Sequence, residues 1–129
     1  MYFRKEIMRV LVFGAKDYTD YNELIRQVTV LLDDRKHFYP DDKEYVFVHT
    51  GLRGAENMIT EYIGKTERYL RQKGFKIKEE LIRNKESFSD VSLIEEGSDF
   101  ALVFGTSDRN KSCIKLLEAY GVPYRFVKE

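Results

Sequence analysis

The chain has 129 residues, room for one domain and one core, and its aromatic and aliphatic content suits globular packing. Its 22 Lys and Arg are balanced by 22 Asp and Glu, so no global field draws in nucleic acid or an anionic membrane without sequence preference, and any anion must be held locally. Cys113 is the lone cysteine, which excludes an internal disulfide; no apolar run approaches the roughly 20 residues of a membrane span, and "MYFRKEI" lacks the apolar core of a signal peptide. The expectation is a soluble, cytoplasmic protein with residues 1–7 as a short extension before one domain over 8–129.

From Met8, "MRVLVFG" is a short β-branched run ending in Gly14, the pattern of a strand buried on both faces of a parallel sheet. Tyr21, Leu24, Ile25, Val28, Leu31 and Leu32 then recur at helical spacing, and Asp20 followed by Glu23 resembles a capping box. This predicts a helix from near Asp20. The break "KHFYPDDK" leads to a second strand, "EYVFVHT". From Ala55, Met58, Ile59, Tyr62, Ile63 and Leu70 fit one helix face as far as about Lys73, and Gly74 stops it. "FKIKEEL" alternates, as a partly exposed strand does.

Residues 83–96 are polar with scattered Phe88, Val91, Leu93 and Ile94, a loop followed by helix. "DFALVFG" is another buried strand, "TSDRNKSCIKLLEAY" places Cys113, Ile114, Leu117 and Tyr120 on one helix face, and "VPYRFVKE" is a last strand. Alternating strands and helices predict an α/β fold: a three-layer, Rossmann-like open parallel sheet of about five strands with helices on both faces. Ligands of such sheets sit beyond the carboxyl ends of the strands, near the switch point. That rule selects the loops starting at Gly14, Thr50, Leu81 and Gly105.

The junction "HTGLRGAE" carries most of the chemistry. Gly51 and Gly54 permit close backbone approach, the helix from Ala55 points unpaired amides at the loop, and Arg53 adds a planar, permanent charge suited to phosphate or carboxylate. The alternative is a simple turn with a solvated arginine. Glu56, in the first helical turn, either complements the helix dipole or takes hydrogen bonds from ribose hydroxyls, or acts as a general acid or base. His49 is either a ligand contact or a hydrogen-bonded core residue, and no neighbouring histidine or cysteine suggests a metal. "GAKDYTD" is not a dinucleotide fingerprint, although the amides of Gly14 and Ala15 and the side chain of Lys16 can face a ligand, while Asp17 suits a turn or cap. Thr50 ends the second strand. In "GTSDRNKS", Gly105, Thr106 and Ser107 offer small hydrogen-bonding groups that bind phosphate, cap a helix or both. Arg83 and Asn84 read as a solvated helix start. Cys113 is a small buried hydrophobe.

Together, "MRVLVFGAKDYTD", "VHTGLRGAE", "IRN", "DFALVFGT" and "YGVPYRFV", in that order, resemble the YspA-like branch of the SLOG superfamily, whose better-known relatives include the Lonely-Guy phosphoribohydrolases. The likeness runs from Met8 over nearly the whole chain. It places Gly14, Lys16, Asp17 and Tyr18 in the first motif and His49, Gly51, Arg53, Gly54, Ala55 and Glu56 in the second. Arg83 and Asn84 match an R-N pair, and Gly105 with Thr106 the last motif. The resemblance implies a Rossmann-like fold that binds nucleotides or nucleotide-derived ligands, and a homodimer; some relatives cleave an N-glycosidic bond and others sense ligands.

The chain departs from that pattern. Gly-Gly-Arg is Gly-Ala-Lys, the first glycine of the second motif is Thr50, its aspartate is Glu56, and Pro-Gly-Gly has shrunk to "VFGT". The glutamate that follows the last motif in the phosphoribohydrolases has no counterpart. The reading is therefore a sensing or sequestering module for a nucleoside phosphate, an NAD or ADP-ribose type ligand or a cyclic derivative, without cofactor or metal. One alternative is a nucleotide N-glycosidic hydrolase with Glu56 at its centre. Another is a nucleic-acid or protein-interaction module using Lys65, Arg68, Arg71 and Lys73.

Overall fold

Residues 8–14 alternate so that Met8, Val10 and Val12 point to one side of the sheet and Leu11 and Phe13 to the other, and both sets are buried. A strand that needs cover on both faces must lie in the middle, and β1 (Ile7–Gly14) does. The computed structural model describes residues 7–38, 44–50, 54–82 and 90–128. In chain order, α1 is Tyr21–Phe38, β2 Glu44–His49, α2 Ala55–Gln72, β3 Lys76–Leu81, α3 Asp90–Glu95, β4 Phe100–Phe104, α4 Asp108–Ala119 and β5 Tyr124–Val127. The five strands form one sheet in the order β3-β2-β1-β4-β5, and every pairing is parallel. This is the Rossmann-like three-layer architecture.

The helices divide between the two faces. Leu24, Val28, Leu31 and Leu32 of α1 and Ile59, Tyr62 and Ile63 of α2 pack with Val10, Tyr45, Phe47 and Ile77 in one core. Leu93 and Ile94 of α3 and Cys113 and Leu117 of α4 pack with Leu11, Phe13, Val48 and Val103 in the other. Burial of such side chains is worth about 1.5–3 kcal/mol each, and the two cores together fix the register of β1.

Local signals act where the sequence places them. Asp20 Oδ1 accepts the Glu23 amide at 3.1 Å at the start of α1, and Gly74, at φ +92°, turns the chain out of α2 while the Phe75 amide returns to the Leu70 carbonyl. The edge strand β3 is charged and buries Ile77 alone, a composition that discourages edge-to-edge pairing.

Two expectations need adjustment. The helix described within residues 83–96 is the short α3, and residues 83–89 lie outside the described residues. Tyr120 lies one residue beyond α4 and is 49% exposed, because its hydroxyl donates to Glu95 at the surface instead of entering the core. Among the described residues no helix is long and apolar enough to cross a membrane.

Candidate functional site

From β1 the chain moves to β2 and β3 on one side, then crosses to β4 and β5 on the other, so the switch point lies between β1 and β4. Two loops part there. The Ala15 amide still donates to the Phe104 carbonyl at 2.9 Å, which prolongs the β1–β4 ladder past Gly14, whereas Gly105 (φ +86°) turns away and donates to Val127. Between the loops lies a cavity of about 400 Å³, lined by residues 14–17 with Thr106, Ser107 and Arg109. Lys16, Asp17 and Thr106 are exposed, Ser107 and Arg109 half-buried.

The β4–α4 loop is built to stay open. Ser107 Oγ accepts the Asn110 amide at 3.1 Å and caps α4. Asn110, 1% exposed, donates through Nδ2 to the carbonyls of Phe104 and Gly105, each at 2.9 Å. These bonds keep the loop from collapsing into the cavity. Thr106 is left at the rim, and Ser107 takes the capping role.

Behind the cavity stands Glu56, fully buried. One carboxylate oxygen accepts the Thr50 amide at 2.8 Å and the Thr50 hydroxyl at 2.7 Å; the other accepts the Gly14 amide at 3.2 Å and Arg109 Nη1 at 2.6 Å. Both oxygens are engaged. In this geometry Glu56 is a tie between the ends of β1 and β2 and the first turns of α2 and α4, and it offers no oxygen to a ribose or an attacking water. The Arg109 guanidinium is held a second time, 5.4 Å from the Phe13 ring centre.

The same packing explains the glycines. Gly54 has φ +92°, and a Cβ there would collide with the Ala15 carbonyl oxygen; a Cβ on Gly14 would lie 2.6 Å from that of Ala55. The β1–α1 loop thus lies directly on the first turn of α2. The described cavity opens at α4, and the loop 51–53 expected to hold an anion at the start of α2 lies outside the described residues. Gly51, Arg53, Arg83 and Asn84 lie outside the described residues.

His49 is fully buried, with Nε2 2.6 Å from Glu79 Oε2, and Thr60 donates to the same carboxylate. It is the hydrogen-bonded core residue of the two alternatives and does not line the cavity. Tyr18 packs its ring 5.3 Å from that of Phe104, within the α1–α2 core. Of the basic residues considered as a patch, Lys65 pairs with Glu61 and Arg71 with Glu67 along α2, and Lys73, one residue beyond that helix, stands over the Tyr69 ring. A second cavity, about 480 Å³, lies between α1 and α2 and is lined by Tyr62, Tyr69, Leu70 and Phe75 among others, away from the carboxyl ends of the strands. Among the described residues no three His, Cys, Asp or Glu side chains come together as metal ligands.

Arg109 and Asn110 were not singled out by the sequence reading. A signal for Arg109 was present: a cation at the second position of a helix opposes the helix dipole and so calls for a carboxylate partner. Its partner lies 53 positions away, beyond the reach of any local pattern.

No protein-family model and no curated protein matches the chain. Among solved structures, the crystal structure of the C-terminal domain of a hydrogenase from Pyrococcus furiosus aligns over 98% of this chain and 95% of that chain, with 14% identity and a TM-score of 0.39. A likeness this weak carries no argument about the site.

Proposed function

We propose that the protein binds a small nucleotide-derived anion in the cavity at the switch point, as a sensing or sequestering module. The observation that carries this reading is the juxtaposition, at the β1–β4 switch, of a cavity of about 400 Å³ with Lys16, Arg109 and the capped start of α4. Arg109 is fixed before any ligand arrives, by Glu56 on one side and Phe13 on another. A preorganised donor loses little freedom on binding. Lys16 at the rim supplies the second cation. The resemblance to the SLOG superfamily supports the nucleotide part of the assignment.

Binding is favoured over glycosidic hydrolysis because Glu56, the group on which a hydrolase would depend, is enclosed and has both oxygens engaged. Isothermal titration of the purified chain with a panel of nucleoside monophosphates, cyclic nucleotides, NAD and ADP-ribose tests the reading, with mass spectrometry of the recovered ligand to detect turnover. Lys16→Ala should weaken the bound nucleotide about tenfold, the loss of one charge-assisted contact of ~1.4 kcal/mol. A panel without any binder, or a binder indifferent to Lys16→Ala and to Arg109→Lys alike, would refute the site. Release of a free base would revive the hydrolase.

A further inference from the structure

The cavity between α1 and α2 has no part in the switch-point site, and its shape follows from helical spacing. Ile25, Thr29 and Asp33 recur every four residues along α1, and Tyr62, Thr66 and Leu70 do so along α2, so the cavity meets one row from each helix. The middle member of each row is a threonine, too short to fill the space between the helices. What remains is about 480 Å³, within the roughly 300–1,000 Å³ typical of ligand cavities. Tyr62, 4% exposed, forms its floor, and Ile25, Leu70 and Phe75 are partly buried around it.

Charge enters from both sides. Asp33 on α1 and Lys73 at the end of α2 line the same cavity, and both are exposed. No ion pair joins them: the Lys73 ammonium stands 5.5 Å from the Tyr69 ring centre, and Asp33 has no ion-pair partner among the described residues. Burial pushes the Tyr62 phenol up and the Asp33 carboxylate adds to the rise, so that carboxylate acts on the floor of the cavity. A ligand with a single charge satisfies one of these groups and turns an uncompensated face to the other. One with both charges at one end and a flat apolar body at the other meets the whole site. We infer that the cavity takes a free α-amino acid with an aromatic side chain, its ammonium on Asp33, its carboxylate on Lys73, and its ring against Leu70 and Phe75 above Tyr62.

The test is an NMR titration of the full chain at neutral pH with L-phenylalanine, phenethylamine, 3-phenylpropanoate and glycine. Phenethylamine lacks the carboxylate and 3-phenylpropanoate the ammonium, so each should bind about fivefold more weakly than L-phenylalanine, the worth of one ion pair at an open rim. Glycine, which has both charges and no ring, should not compete. Lys73→Met should abolish the advantage of L-phenylalanine over phenethylamine and keep that over 3-phenylpropanoate, and Asp33→Asn should do the reverse. Both positions are exposed, so both variants should keep the Tm of the wild type. Shifts confined to Tyr62, Thr66 and their neighbours on α1 would support the site. No binding of L-phenylalanine at millimolar concentration, equal binding of the three phenyl compounds, competition by glycine, or loss of binding in Lys16→Ala, which would move the ligand to the switch point, would each overturn it.

Discussion

Replacing Arg109 by Met would expose the energetics of the site most directly. The substitution keeps an unbranched side chain to cover Phe13 but leaves the buried Glu56 carboxylate with three uncharged donors, from Gly14 and Thr50. Removing one partner of a fully buried ion pair costs about 3–5 kcal/mol. Arg109 is 27% exposed, and the three remaining hydrogen bonds still stabilise the carboxylate, so the expected loss is at the lower end, about 3 kcal/mol. For a chain of this size that corresponds to a fall in Tm of roughly 10 °C. Urea unfolding followed by far-UV circular dichroism measures it. The decisive comparison is the double variant Glu56→Gln with Arg109→Met, in which no charge is left buried; it should recover more than half of the loss through a coupling of at least about 1.5 kcal/mol. A single variant within about 0.5 kcal/mol of wild type, or strictly additive losses, would refute the view of Glu56 as a tie completed by Arg109.

Two further outcomes follow from the same geometry. Gly54→Ala should cost about 3 kcal/mol or more, because it combines a backbone conformation at φ +92° that alanine resists with a Cβ driven into the Ala15 carbonyl; a Tm within a few degrees of wild type would show that the β1–α1 loop does not rest on α2. The Glu23 carboxyl is held at about 2, against an ordinary value of 4.5, first by its hydrogen bonds from Arg26 and then by that from Gln27. Its contribution is therefore complete above pH 4.5 and disappears as the pH falls through about 2. An NMR titration of the side-chain carboxyl should show the depressed midpoint and an upward move in Arg26→Ala; an ordinary midpoint in the wild type would contradict the bonding.

The layers of the fold were readable because each rests on local periodicity. Val10 and Leu11 declare a strand covered on both sides, Leu24 and Val28 a one-sided helix, and Gly74 the end of another, none of which requires knowledge of a distant residue. The parallel order followed from the alternation itself. The loops that hold the cavity could be selected for the same reason, so Gly14, Lys16, Asp17, Thr106 and Ser107 were found together without being neighbours in the chain. What stayed hidden was pairing at a distance. Glu56 read as a first-turn acid with a dipole, ribose or acid–base role and Arg109 as one charge in "SDRNK", and only the meeting of the first turns of α2 and α4, from opposite faces of the sheet, joins them. Tyr120 failed in the opposite sense: its spacing matched a buried face, but a hydroxyl within reach of Glu95 held it at the surface.

The tie at Glu56 also sets an order of events for a chain made from its N-terminus. Gly14, Thr50 and Arg109 come from successive parts of the sequence, and loop closure over such separations is slow relative to local helix formation. Until α4 has been made and docked, the carboxylate behind the switch point lacks its cation, and the ends of β1 and β2 meet an unbalanced charge where they should join. A chain without α4 therefore leaves the Glu56 carboxylate without its cation and the cavity without one of its walls, so completion of that helix is what balances the charge behind the switch point.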